Sequence, residues 1–420
     1  MRANQLSGSR VLVVGLARAG TAAAEALLLQ GASVVGFDVN EGVDVGRLRE
    51  QAVEIHLGDE EDMLLQGIDL VVKSPGVRGD TTLIASARAR GVPVWDELEL
   101  GARLLSNPIL AVTGTNGKTT TTALLGAMLR EGGNQVEVAG NIGRALSSLV
   151  GKVEPDVWIV CEVGVFQLDD MEVFHPRVGV LLNLEPDHLD RYGEFAPYAA
   201  TKLRMFELQT EHDVAVVPRG FGPVPGAGRV LEFSADDPLP AEPAIPGVHN
   251  RENAAAATLA ARAVGVPDDA IAGALRTFPG VEHRIEDIAS VGGVRYVNDS
   301  KATNVAAALR AIAALRESTL HVILGGRGKN ESYEPLAAAL RSGDRAYLIG
   351  EATAEIAYAL AAAGVPLVRC DRLDRAVSEA AVEASPGDVV LLSPACASFD
   401  QFRDFEARGD EFRRLVKELS

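Results

Sequence analysis

The chain has 420 residues, 47% of them apolar and 23% charged, and its 42 Gly with only 5% aromatics suit a sheet-rich α/β protein with many tight turns. Lys and Arg number 40 against 58 Asp and Glu, a formal net charge of -18 that argues against nucleic acid or an anionic membrane as partner. An anionic ligand must then be held locally, by helix N-termini, metal ions and a few placed cations. Cys161, Cys370 and Cys396 form no C-x-x-C pair and no apolar run approaches the roughly 18 residues of a membrane helix, so a reducing, cytoplasmic setting is expected. At this length three domains are expected.

From Arg10 the pattern reads strand (Val11–Val14), glycine turn (Gly15–Gly20), alanine-rich helix (Thr21–Gln30) and strand (Ser33–Phe37) ending at Asp38, a βαβ opening. Gly15, Ala17 and Gly20 fall on the positions of a G-x-G-x-x-G fingerprint. The methyl group of Ala17, with Arg18 beside it, argues against a nicotinamide dinucleotide, and leaves a nucleotide-like ligand whose base or ribose Asp38 accepts from. The strand Leu70–Lys73, "SPGV", a helix over 82–91 and the strand Val92–Trp95 lead to the breaker Ser106-Asn107-Pro108. A first domain is therefore placed over 1–107.

A second domain, 108–280, opens with the strand Pro108–Val112, the turn "GTNGKTT" (Gly114–Thr120) and a helical pattern. Val112 stands where a Walker loop has its first glycine, yet strand, glycine turn, Lys118 and helix together read as a phosphate loop. Lys118 is placed to reach the β and γ phosphates and Thr119 to hold Mg2+. Glu162 ends the strand Val157–Cys161, and Asp187 and His188 follow the strand Val178–Leu182, where open α/β sheets bind ligands; all three are candidate metal-site residues. Lys202, on a helix over 197–209, reads on its own as surface charge. The Pro/Gly-rich 218–228 reads as a surface excursion, and 250–265 as a helix.

The remainder, 281–420, alternates strands and helices as a parallel sheet with helices on both faces does. Three loops stand at strand ends: "NDSKATN" (298–304), "GGRGK" (325–329) and "SPACAS" (393–398). Asp299, Ser300, Lys301 and Thr303 offer a carboxylate or ribose site, and Lys329 and Ser398 are candidates to converge on one ligand, with Ser398 alternatively capping a helix from Phe399. Cys396 has no identifiable activating base, against a nucleophilic role.

With "VTGTNGKTT", "GNIG", "EVGVFQL", "NLEPDHLDRY", "YAATKLR", "GVHNRENAAAA", "VEHR", "VNDSKATN", "LGGRGK" and "SPACASFDQFRDFEARGDEF" assembled, the chain resembles the Mur ligase family, within it the D-glutamate-adding branch. The resemblance spans essentially the whole chain. It implies a Rossmann-like N-terminal domain, a central P-loop ATPase-type domain and a C-terminal Rossmann-like domain, all α/β. It implies ATP-dependent joining of D-glutamate to UDP-N-acetylmuramoyl-L-alanine through an acyl phosphate, in a monomer, with two Mg2+ ions. Carried over by motif, Gly114, Thr115, Asn116, Gly117, Lys118, Thr119 and Thr120 hold ATP, joined by Asn250, Asn253, Arg284 and Asp299. Thr119, Glu162, His188 and Lys202 serve the metal ions, Lys202 as a carbamate, and Lys118, Glu162, His188, Lys202 and Arg284 carry catalysis. Substrate contacts fall to Arg18, Ala19, Asp38, Val39, Asn141, Gln167, His188, Lys301, Thr303, Lys329, Ser398 and Phe405. The chain departs from the family at Gly164-Val165, where Ser-Ser is common, at Glu185, where Thr is, and at Arg327, where an acidic residue is frequent. A nucleotide switch without bond chemistry leaves the third-domain loops unexplained, and a folylpolyglutamate synthase gives no reason for the nucleotide-sugar-sized first domain.

Overall fold

A computed structural model describes residues 6–60, 62–141, 143–328 and 331–419. The chain forms two compact units that divide between Phe278 and Pro279.

The first unit contains two sheets. In the first, β1 (Arg10–Val14), β2 (Ser33–Asp38), β3 (Glu54–Leu57), β4 (Leu70–Lys73) and β5 (Val94–Asp96) are parallel in the order β3-β2-β1-β4-β5. The strand order reverses beside β1, so the ends of β1, β2 and β4 open a crevice lined by Gly15, Asp38 and Ser74. The helix after β1 starts at Arg18, earlier than its apolar pattern suggested, with Ala17 at its N-cap. A Cβ on Gly20 would lie 1.7 Å from the Gly15 carbonyl oxygen, so this glycine serves close helix–strand packing and makes the turn look like a dinucleotide fingerprint.

The second sheet holds β6 (Ile109–Thr113), β7 (Val136–Gly140), β8 (Trp158–Glu162), β9 (Val178–Leu181), β10 (Val214–Pro218) and β11 (Arg229–Phe233), parallel in the order β11-β10-β9-β6-β8-β7. Because β6 lies between β9 and β8, the phosphate loop, Glu162 and the segment 182–188 emerge side by side. The helix Glu97–Leu104 ties the two sheets together through buried carboxylates. Glu97 accepts the Ser147 N–H at 2.6 Å, and Glu99 accepts the N–H groups of Glu172, Val173 and Phe174 at 3.0 to 3.3 Å. Beside it the fully buried Lys73 ammonium lies 3.1 Å from both Asp96 and Asp170.

The second unit carries β12 (Glu286–Val291), β13 (Val294–Asn298), β14 (Leu320–Gly325), β15 (Arg345–Ile349), β16 (Leu367–Asp371) and β17 (Val389–Leu392) in the order β12-β13-β17-β14-β15-β16. Val322 and Leu324 bury into one core and Ile323 into the other, so both faces of this sheet are covered. The expectation of an all-parallel sheet needs correcting at its edge. Gly292 and Gly293, both at positive φ, turn the chain so that β12 runs antiparallel to β13. The last helix begins at Phe405, not Phe399, because the Asp404 carboxylate accepts the Ala407 N–H and caps it there. Among the described residues no helix is long and apolar enough to cross a membrane.

Candidate active site

Gly117 takes φ +83° at the N-cap of helix Lys118–Glu131, and a Cβ there would stand 2.3 Å from Asn253 Oδ1. The glycine therefore does two jobs, turning the backbone into the helix and letting the helix Val248–Ala263 press Asn253 against the loop. The result is a helix N-terminus with a bare glycine cradle, the usual seat of a phosphate. The loop is braced by the segment after β9. Asn183 Oδ1 accepts the Asn116 N–H at 2.9 Å, Thr115 N–H reaches the Asn183 carbonyl, and the Thr115 hydroxyl lies 2.9 Å from the Tyr198 hydroxyl.

Two ammonium groups converge on one carbonyl of this loop. Lys118 Nζ and Lys202 Nζ each donate to the Gly114 oxygen at 2.9 Å, and Lys118 also reaches the Thr115 oxygen. Lys202 is only 2% exposed, so the surface reading of this residue gives way. Burial, then the charge of Lys118, push its pKa down to about 7, against the pull of Asp187 and Glu162. A pKa near 7 puts a substantial share of this amine in its neutral form at neutral pH.

Glu162, buried at the end of β8, accepts from Asn141 Nδ2 at 3.1 Å. Gly164 makes that approach possible, since a Cβ there would lie 2.7 Å from Asn141 Oδ1. Gln167 turns its Oε1 to the Gly164 N–H, while its Nε2 is buried without a hydrogen-bond partner, an orphaned donor beside Asn141 that suits a polar ligand. His188 sits at φ +52°, its ring 4.7 Å from that of Phe166 and 6.4 Å from Tyr198. Among the described residues no three His, Cys, Asp or Glu side chains cluster as a ready metal cage. Thr119 and Glu162 instead offer hard oxygen donors of the sparse kind that suits Mg2+ completed by phosphate oxygens and water, and His188 adds a softer imidazole nitrogen.

In the first sheet, Asp38 accepts the Leu16 and Asn40 N–H groups at 2.6 and 2.8 Å, so its carboxylate already braces the crevice wall. Val39 is exposed and Ala19 half-buried nearby. Arg18 donates to the Gly143 carbonyl at 3.3 Å, which brings it to the "GNIG" segment that carries Asn141. Asn250 Nδ2 bonds the Pro246 carbonyl at 2.7 Å, at the start of the helix that carries Asn253.

In the second unit three loops meet around Arg408, whose buried guanidinium bonds Ser300 Oγ and O and the Cys396 carbonyl at 2.8 to 3.1 Å. Arg327 and Ala397 exchange backbone hydrogen bonds, joining the second loop to the third. Asp299 is buried, accepting from Ser393 Oγ at 2.7 Å and the Ile285 N–H at 3.2 Å, and burial pushes its carboxyl up to about 7 against the Ser393 bond and the charge of Arg284. Lys301 Nζ stands 5.6 Å from the Phe405 ring, and Thr303 is half-buried on the same loop. Ser398 is buried at the start of a turn and caps no helix, since Asp404 does so. Burial pushes the Cys396 thiol up to about 11, the wrong direction for a nucleophile. Arg327 spends its charge on Glu351, at 3.1 and 3.2 Å; Lys329 lies outside the described residues.

Sequence reasoning missed Asn183, Tyr198 and Arg408. Asn183 stands two residues past a strand end and carried a weak signal; a tyrosine and an arginine inside helical patterns carried none.

Profiles of three families match in chain order: the Mur ligase MurD-like N-terminal domain over 9–96, the Mur ligase middle domain over 112–220 and the Mur ligase glutamate ligase domain over 283–396. The chain is 42% identical to the UDP-N-acetylmuramoylalanine--D-glutamate ligase of Acidobacterium capsulatum, over 98% of this chain and 97% of that one. It is 43% identical to the protein of the same name from Anaeromyxobacter dehalogenans, over 100% and 99%. Among solved structures, the UDP-N-acetylmuramate-alanine ligase of Thermotoga maritima aligns with TM-score 0.63 at 21% identity, over 98% of this chain and 100% of that one, a likeness of fold.

Proposed function

The chain belongs to the Mur ligase family, and we propose that it joins D-glutamate to UDP-N-acetylmuramoyl-L-alanine at the cost of ATP, in the cytoplasm and as a monomer. The amino-acid and nucleotide-sugar assignment rests on the full-length identity to relatives bearing that name. The geometric observation that carries the chemistry is the meeting of Lys118 and Lys202 on the Gly114 carbonyl, with Asp187 and Glu162 near enough to pull on the Lys202 charge.

The reaction must bring a carboxylate, a triphosphate and an anionic amino acid together. The alanine carboxylate oxygen attacks the γ-phosphorus and ADP leaves. The D-glutamate amine then attacks the acyl carbon, loses a proton, and phosphate departs as the amide forms. In this reading Gly114–Thr120, with Asn253 behind Gly117, seat the phosphates, and Asn250 and Asn253 lie toward the adenine. Lys118 releases the loop carbonyls and turns to the β and γ phosphates. Bound Mg2+ screens the meeting anions, and Thr119, Glu162, His188 and Lys202 are the residues that would hold two such ions. Arg18, Ala19, Asp38 and Val39 take the UDP end, and Asn141 and Gln167 the sugar-peptide end. Arg284 and Asp299 are also assigned to ATP. Lys301, Thr303, Lys329, Ser398 and Phe405 bind D-glutamate, with Arg408 fixing the loops of Ser300 and Cys396.

Lys202 fits its place best as a carbamate. The neutral amine adds its lone pair to the carbon of CO2 and gives up one N–H proton, so a buried cation becomes a carboxylate ligand. The test of the whole reading is mass spectrometry of the products: one amide-linked D-glutamate on the nucleotide sugar, with ADP, supports it, and an unchanged nucleotide sugar under the same conditions contradicts it.

A further inference from the structure

One carboxylate at the phosphate loop has no role in the reading above. Glu185 lies in the segment that braces the loop, and its Oε2 accepts from Asn116 Nδ2 at 2.9 Å. The neighbouring bonds do not depend on which side chain stands at 185. Thr115 Oγ1 donates to the Glu185 carbonyl at 3.1 Å and accepts its N–H at 3.0 Å, both backbone groups, while Asn183 holds the Asn116 backbone from both sides, at 2.9 and 3.2 Å. The main chain of the loop is therefore fixed whatever residue 185 is. The carboxamide of Asn116, two residues before Lys118, is aimed by Glu185. A shorter side chain at 185 would keep the backbone staple and drop the carboxamide.

We infer that Glu185 is a positioning residue for ATP, acting through Asn116 to hold that carboxamide in its binding orientation at the phosphate loop before the nucleotide arrives. The inference rests on the reading of this loop as the ATP site. An acceptor at 185 lowers the ordering cost that ATP binding otherwise meets, so its loss appears in ATP affinity and not in the use of the amino acid. The hydrogen bond, rather than the negative charge, is the operative feature, because a second anion near a triphosphate contributes nothing favourable by charge alone.

The experiment is a double-mutant cycle on Mg-ATP binding to the full chain by calorimetry, with Glu185→Ala, Asn116→Ala, the double variant and Glu185→Gln. Glu185 is exposed and its backbone bonds persist in every variant, and thermal melts check folding. Glu185→Ala should weaken ATP binding about threefold to tenfold, the range of one net hydrogen bond. The double variant should be no weaker than Asn116→Ala, Glu185→Gln should stay within about twofold of the unaltered protein, and KM for D-glutamate should not move. Additive losses, or a Glu185→Gln as weak as Glu185→Ala, overturn the inference and leave the function standing. Absence of ATP binding by the unaltered protein overturns both.

Discussion

Lys202 shows how burial changes what a residue is for. An ammonium in a low-dielectric wall, with Lys118 sharing its acceptor, is driven toward its neutral form, and a neutral amine is what the proposed carbamate requires. We expect Lys202→Ala to lose about a hundredfold or more in turnover, by the scale of a lost metal or electrostatic contact, and to regain part of it with added formate or acetate. Full activity without rescue would count against the carbamate. Since the pKa is lowered to about 7, the amine is protonated as pH falls below that value. Carbamate occupancy, read by 13C labelling, should therefore fall from pH 8 to pH 6. In the sequence this lysine was indistinguishable from surface charge, because nothing in a helical pattern reveals that position 202 faces the phosphate loop; only the resemblance singled it out. Glu162, ending its strand, and His188, in the segment after β9, were candidate site residues from position alone.

At the scale of elements, the glycines divide the legible from the hidden. "GTNGKTT" announced its strand, turn and helix because Gly117 must take a left-handed φ and leave room for Asn253. We expect Gly117→Ala to destabilise the chain by about 1 to 2 kcal/mol from backbone strain alone, and to weaken ATP binding further as Asn253 is displaced; unchanged melting and binding would sink that role. Arg408 is the opposite case, a charged residue on an amphipathic helix that reads as solvated and instead pins two loops at once. Arg408→Lys keeps the charge and loses the fork, so KM for D-glutamate should rise while Mg-ATP binding stays near its original value. Equal loss of both would make Arg408 a stability residue only. The antiparallel β12 was illegible because an edge strand carries no clean apolar period.

At the scale of the molecule, the first two sheets are joined by charge rather than by an apolar seam alone. Lys73 lies between Asp96 and Asp170 in full burial, and removing one partner of such a group leaves an uncompensated charge. Lys73→Ala should cost about 3 to 5 kcal/mol by that argument, read by denaturant melts, and an effect below 1 kcal/mol would reject it. Glu97, at the same joint, has its carboxyl pushed up to about 7 by burial against the Ser147 bond. Its folded pKa lies above the unfolded value of 4.5, so the folded state holds the extra proton and this group's contribution to stability is lost as pH rises through that window. Glu97→Gln should flatten the pH dependence of melting between about 4.5 and 7; an unchanged slope would place the effect elsewhere.

The identity of the amino acid is the point on which everything above converges, and phosphate release measures it directly. With ATP, Mg2+ and UDP-N-acetylmuramoyl-L-alanine present, D-glutamate should drive release of one phosphate per amide formed, while L-glutamate, L-alanine and a diamino acid should leave the background rate unchanged. Release with one of those three and not with D-glutamate would contradict the assignment.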